Sequence, residues 1–327
     1  MHQVERVQDL TEDELLERVV PLLPASAARV LGPGDDAAVV AAPDGRFVVT
    51  TDVLVEDRHF RRAWGSGADV GWRAVMQNLA DVAAMGARPT AIVTSLVLPG
   101  DLEVAWVEDF AHGMAQACRL HAVGAEGGDL SGGPVVMVSV TAHGDLEGRA
   151  PALRDGARPG ARICHAGRLG WSAAGLAVLE AGFSASDDHL EAEAGDAVGR
   201  FLRPRPPVQA GLRAAEAGVE AMMDVSDGLL RDAGRMARAS GVVLDLSSQA
   251  IAADVAALEA LARAYGQDAL TWVLTGGEDH GLLAVVEGEV PEGFRQIGTV
   301  RAGEPGVTVD GGPPSVLGSG WDHFSGR

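Results

Sequence analysis

The chain has 327 residues, 47% of them hydrophobic and 22% charged, and a formal net charge of −20. This length predicts two domains of roughly 150 residues each, and the composition an ordered globular protein. The negative charge opposes nucleic-acid backbones and anionic membrane surfaces, so neither partner is expected. All 26 basic residues are arginine. That excludes a Walker A P-loop, the lysine of a protein kinase and Schiff-base chemistry, each of which needs an ammonium group.

In chain order, TEDELLERVV near the start is acidic and helical and lacks the basic start and apolar middle of a signal peptide. No uninterrupted apolar run is long enough to span a bilayer, so a cytoplasmic protein is expected. The segment 46–51 (RFVVTT) predicts a strand that ends at Asp52. A helical pattern covers 69–86, strands are predicted over 91–98 and 134–143, and Asp101 opens a helix between them. The connection 148–160 is rich in Gly, Pro and Arg and marks a boundary, giving domains 1–150 and 151–327.

The second half predicts a strand at 162–165, helices near 171–182, 190–202 and 207–217, and a strand at 221–225. Ser226 is placed to cap the next helix, and a β-rich stretch follows from Leu282. Cys118 and Cys164 have no metal-ligand spacing and read as small buried hydrophobes. No fixed-period repeat is present, so the fold class is α+β in two domains.

The acids are distinctive because they sit at element ends or among apolar neighbours. Asp35 and Asp36 follow Gly34, and Asp52 follows Thr50 and Thr51. Asp81 lies among Leu79, Ala80, Val82 and Ala83, with Gln77 and Asn78 one turn back as expected donors. Asp129 follows two glycines, in a string that alone reads as a plain turn. Asp224, Ser226 and Asp227 straddle a strand end and a helix start, and Glu278 and Asp279 follow Gly276 and Gly277. Repeated carboxylates of this kind suit hard divalent cations, and Mg²⁺ fills most of its octahedron with water and phosphate oxygens. A polyphosphate ligand is therefore expected, with Arg154 and Arg149 as basic helpers.

The strings GPGDDAAVV, TTDVLVEDRHF, NLADVAAMGARP, GGDLSGGP, VSDGLLRD, TGGEDHGLL and the terminal GWDHF occur in that order. Together they resemble the thiamine-monophosphate kinase family, in the superfamily that includes aminoimidazole ribonucleotide synthetase and selenophosphate synthetase. The resemblance runs from about Gly32 to the C-terminus. It implies a mixed N-terminal sheet with helices on one face, a C-terminal α/β domain that completes the nucleotide and substrate site, and a homodimer paired through the N-terminal sheets. The implied reaction is direct in-line transfer of the γ-phosphoryl group of ATP to thiamine monophosphate, giving thiamine diphosphate, with several Mg²⁺ ions.

By the same matching, Asp36, Thr50, Thr51, Asp52, Asp81, Asp129, Asp224 and Asp227 would contact Mg²⁺. Gly128, Arg154 and Ser226 would touch ATP, and His59, Glu278 and Trp321 the thiamine phosphate. No catalytic residue is implied beyond these ligands. Two alternatives stay open: a synthetase of the superfamily that works through an iminophosphate, and a non-catalytic acidic metal-binding protein. The chain lacks the N-terminal Cys and Lys expected of a selenophosphate synthetase and the C-terminal Cys of hydrogenase-maturation relatives.

Overall fold

The computed structural model describes residues 4–32, 37–187, 189–316, 318, 320 and 321. The chain forms two compact units, one of residues 1–82 and 88–148, the other of 83–87 and 149–327.

The first unit begins with α1 (Glu12–Val19). Its start is fixed by a capping box: the Thr11 hydroxyl accepts the Glu14 N–H, and the Glu14 carboxylate accepts the Thr11 N–H. The short strands β1 (Arg29–Leu31) and β2 (Val39–Val40) pair with each other. Then come β3 (Val48–Val55), α2 (Gly67–Ala84), β4 (Arg88–Leu98), α3 (Val104–Leu120), β5 (Gly124–Gly132) and β6 (Met137–Asp145). These four longer strands make a sheet in the order β3-β6-β4-β5, antiparallel except for the parallel β4–β5 pair. Helices α2 and α3 approach closely, because a Cβ on Gly71 or Gly113 would collide with the carbonyl of Phe110 or Ala68.

Two sequence expectations are corrected here. Asp52 does not emerge at the end of a strand: β3 runs on to Val55, and its register with β6 continues through Asp52↔Val140 to Val55↔Met137. The strand tolerates the acid because burial alternates, with Thr50, Asp52 and Leu54 turned inward and Thr51 and Val53 outward. The Gly127-Gly128-Asp129 string is not a turn but part of β5, where its pairing with β4 is irregular between Ile92 and Thr94. The N-terminal segment is tied to the same strand by Glu126, which is 1% exposed. Its carboxylate accepts the Ser26 N–H at 2.5 Å and pairs with Arg29.

The second unit contains β7 (Arg162–Ala166), α4 (Trp171–Glu180), α5 (Ala192–Leu202), α6 (Val208–Glu216) and β8 (Ala221–Val225). It continues with α7 (Leu229–Ser240), β9 (Val243–Leu246), α8 (Ser248–Ala264), α9 (Ala269–Thr275), β10 (Gly281–Val286), β11 (Arg295–Arg301) and β12 (Gly306–Val309). The sheet order is β12-β9-β11-β7-β10-β8, antiparallel except for β12 beside β9. Strand β10 is buried along its whole length and reads as an unbroken apolar run. Its Leu282 and Ala284 pack with Met222, Ala166, Ala210 and Ala214 in the core. Asp245 in β9 fastens the last strand and the turn after it by accepting from the Thr308 hydroxyl at 2.6 Å and the Gly311 N–H at 2.7 Å. Cys118 and Cys164 are buried in their respective units, and burial pushes their thiols up to about 12 and about 11, so both are inert hydrophobes.

His165 in β7 is 1% exposed, and neither ring nitrogen meets a hydrogen-bond partner among the described residues. Burial, with the nearby Arg295 charge, lowers its pKa to about 3, so it is neutral in the folded protein. The unfolded chain binds this proton below about pH 6.5 and the folded chain does not, so stability falls as pH drops through that window. Denaturant unfolding followed from pH 7 to pH 4 should show a loss of up to about 1 kcal/mol per pH unit, and His165→Leu should flatten the slope. An equally steep slope in the variant would clear His165 of this role.

Candidate functional site

In the first unit, the Thr50 hydroxyl donates to Asp81 Oδ2 at 2.8 Å. The link joins the inward face of β3 to α2, whose residues around Asp81 are almost entirely buried. Asp52 stands two positions along β3 on the same face and is half-buried. Thr51 stands on the opposite face, where its hydroxyl donates to the Val140 carbonyl and accepts from Thr141, both at 3.1 Å. The strand period of two thus separates Thr51 from the Thr50 and Asp52 side chains. Asn78 does not donate to Asp81 as the helix spacing predicts. Its Nδ2 donates instead to the Ala74 carbonyl of its own helix at 2.8 Å.

Asp129 is exposed in β5, opposite Ser95. With Gly127, Gly128, Thr141 and His143 it lines a cavity of about 970 Å³. Gly128 has a packing reason to be glycine, because a Cβ there would run into the carbonyl of Thr94. His59 sits in a tight turn after β3. Asp57 adopts φ 64°, the His59 N–H donates to the Val55 carbonyl at 3.0 Å, and Arg73 grips the His59 carbonyl at 2.9 Å. The Val55 N–H donates to His59 Nδ1 at 3.0 Å, which leaves the ring proton of the neutral form on Nε2 as a donor. Asp36 lies outside the described residues.

In the second unit, Asp224 ends β8 at 8% exposure. Ser226 does not cap the following helix. The N-cap of α7 is Gly228 at φ 113°, and the buried Asp232 inside the first turn takes up the Asp227 N–H at 2.9 Å. Three backbone segments crowd this loop. A Cβ on Gly228 would lie 2.5 Å from the Thr275 carbonyl, one on Gly277 2.5 Å from the Ser226 carbonyl, and one on Gly320 would overlap the Asp227 carbonyl. The glycines of VSDGLLRD, TGGEDHGLL and the tail are therefore mutually required by close approach. The Glu278 N–H donates to the Ser226 carbonyl at 2.7 Å, and the Trp321 N–H to the Asp227 carbonyl at 2.9 Å.

Asp279 is structural. Its carboxylate accepts the Gly170 and Ser172 N–H groups at 2.6 and 2.8 Å, capping α4, and burial pushes it up to about 6. Glu278 and His280 on either side hold positive φ, 68° and 50°. His280 was missed by sequence reasoning. It is 4% exposed, with Nε2 3.2 Å from Glu278 Oε2 and Nδ1 3.8 Å from Asp224 Oδ2. Burial opposes its charge, but the two carboxylates raise it to about 10, so it is a buried cation between them. Asp232 and Arg235 were missed as well, although an acid in the first turn with Arg three residues on is a helix-pairing signal. Burial and then the charge of Asp224 push Asp232 up to about 7. The Arg154 side chain is exposed, and its carbonyl accepts the Ser240 hydroxyl at 3.0 Å.

Among the described residues, no group of three or more His, Cys, Asp and Glu side chains converges as a self-sufficient metal site. The donor set still fits Mg²⁺, which needs only one or two carboxylates when phosphate and water oxygens complete its shell. After burial, the charges of Asp224 and Asp227 both push Asp232 up, so negative charge is concentrated around this loop.

Two family models match the chain: AIR synthase related protein, N-terminal domain, over residues 34–146, and its C-terminal domain over 158–315. A thiamine-monophosphate kinase of Mycobacterium tuberculosis is 46% identical over 97% of this chain and 93% of its own length. The chain belongs to this family, in its thiamine-monophosphate kinase branch. Among solved structures, the thiamine-monophosphate kinase of Stenotrophomonas maltophilia K279a superposes with TM-score 0.78 at 32% identity, covering 92% of this chain and 96% of that one. AaThiL complexed with AMPPCP and TMP superposes with TM-score 0.76 at 33% identity, covering 98% of this chain and 99% of that one. The family's two-domain mixed α/β architecture is the one seen here.

Proposed function

We infer that the chain transfers the γ-phosphoryl group of ATP to thiamine monophosphate. The observation that carries this reading is its likeness, over nearly its whole length, to a protein bound to AMPPCP and TMP, together with the carboxylates placed at the matching motifs. The absence of lysine supports it too, since phosphate charge must then be met by metal ions and arginine.

The acceptor's phosphate monoester has a second pKa near 6, so its attacking oxygen is largely anionic at neutral pH. A bond forms from that oxygen to the γ-phosphorus, and the bond to the oxygen bridging the β- and γ-phosphorus atoms breaks, leaving the electron pair on ADP. No general base is required. What remains is alignment and relief of repulsion between two anions. Mg²⁺, when bound, would supply neutralisation of the phosphate charge. Asp52 and Asp81 on the inner face of the first unit's sheet, Asp129 on the face that carries Thr51, and Asp224 and Asp227 in the second unit would hold such ions, with Thr50 orienting Asp81. Asp36 has the same proposed role, and Thr51 would have to act through its backbone. Gly128, Arg154 and Ser226 would contact ATP. His59 presents an Nε2–H donor suited to the acceptor phosphate, Glu278 offers negative charge to the thiazolium, and the Trp321 ring offers a cation–π face.

The outer face of the first unit's sheet exposes Phe47 at 57%, Val49 at 56%, Val53 at 42% and Val93 at 36%. Such a face beside the long edge strand β3 suits burial by a second copy of the chain, and we include a homodimer in the proposal. No helix among the described residues is long and apolar enough to cross a membrane.

ADP release should be fast with thiamine monophosphate, and near background with free thiamine or formylglycinamidine ribonucleotide. Turnover only with the last would replace the kinase by a synthetase. Asp52→Asn and Asp81→Asn should each lower turnover by about 100-fold or more while melting normally; wild-type rates would return both to structural roles. Sedimentation should show a dimer that Val49→Asp dissociates, and a monomeric wild type would remove the dimer from the account.

A further inference from the structure

Asp227 is held at every level of its structure. Its N–H donates to Asp232 Oδ2 at 2.9 Å, its carbonyl accepts the Trp321 N–H at 2.9 Å, and its carboxylate meets Arg235 Nη2 at 2.6 Å. Arg235 Nη1 turns to Asp232 Oδ1, also at 2.6 Å. The chain of contacts therefore closes on itself, from the Asp227 backbone to Asp232, from Asp232 to Arg235, and from Arg235 back to the Asp227 side chain. Asp232 is fully buried, so both of its oxygens depend on these two donors. Arg231 stands further off, with Nε 3.7 Å from Asp227 Oδ2.

Only a planar fork can close this ring. Its two Nη groups reach different carboxylates at once, which an ammonium on a flexible stem does not reproduce. Nor can Asp232 be replaced by its amide. Asn has one acceptor oxygen, and in either flip its NH₂ faces a donor, the Asp227 N–H or the Arg235 guanidinium.

We propose that Asp232 and Arg235 are positioning residues for phosphoryl transfer, which fix Asp227 in place and thereby set how tightly the site takes up its divalent cation. The inference rests on the reading of Asp227 as a cation ligand. Groups that orient a ligand from behind typically govern metal affinity by 10- to 100-fold.

The test compares Arg235→Lys, Asp232→Asn and Asp227→Asn in the full chain with Asp245→Asn as a stability control. Asp245 is another buried aspartate with several donors, but it serves the last strand and the turn after it. Three quantities are measured: the Mg²⁺ concentration for half-maximal ADP release, Mn²⁺ binding by water-proton relaxation with a non-hydrolysable ATP analogue, and the melting temperature. Arg235→Lys and Asp232→Asn should raise the Mg²⁺ requirement and weaken Mn²⁺ binding about 10-fold or more. Their kcat at saturating Mg²⁺ should stay within about threefold of wild type, and hydrogen exchange over residues 224–228 should speed up in Asp232→Asn. Asp245→Asn should lower the melting temperature without moving either metal readout.

If the clamp variants melt earlier but bind Mn²⁺ normally, the ring is a structural brace and the proposal fails. If Asp227→Asn shifts Mn²⁺ binding and Arg235→Lys does not, the clamp alone falls; if Asp227→Asn shifts nothing, the assignment of Asp227 falls with it. Should Asp232→Asn not fold, Arg235→Lys decides.

Discussion

A chain of net charge −20 without a single lysine has only arginines, histidines and borrowed cations with which to meet the charge of a polyphosphate. That constraint shapes both units. Several of the carboxylates proposed as ligands have an identified neighbour that orients them. Thr50 orients Asp81 with a hydroxyl, Arg235 grips Asp227 from its flank, and the buried His280 cation stands between Asp224 and Glu278.

The glycine-rich strings serve packing as much as ligand approach. Gly228, Gly277 and Gly320 let three separate stretches of backbone meet around Ser226 and Asp227, and Gly128 lets β5 lie against an irregular stretch of β4. The loop that carries Asp227 is consequently braced by the segment that carries Glu278 and by the tail that carries Trp321. Proposed metal and substrate contacts of the second unit therefore share one backbone framework, and a change at a glycine is felt by both.

Much of this was legible in the residues. The alternation of strands and helices appears in the fold. Errors arose where local pattern competes with long-range partners. Asp52 looks like a strand end because an acid usually stops a strand, yet pairing with β6 carries β3 three residues further. Ser226 has the residue type of a cap, but Asp232 already serves the donors at that turn. Asn78 has the right spacing for Asp81 and spends its amide on its own helix. Glu126 could not be recognised locally, because Ser26 lies 100 positions away, and His280 shows only its Glu278 partner locally, since Asp224 lies 56 positions away.

The central claim is that divalent metal, rather than protein cations, carries the nucleotide's charge. Calorimetric titration of the protein with a non-hydrolysable ATP analogue, with saturating Mg²⁺ and then with excess chelator, tests it most directly. The account predicts that affinity falls by about 100-fold or more when the metal is withdrawn. Equal affinity in both conditions would show that arginines alone hold the phosphates, and would contradict it.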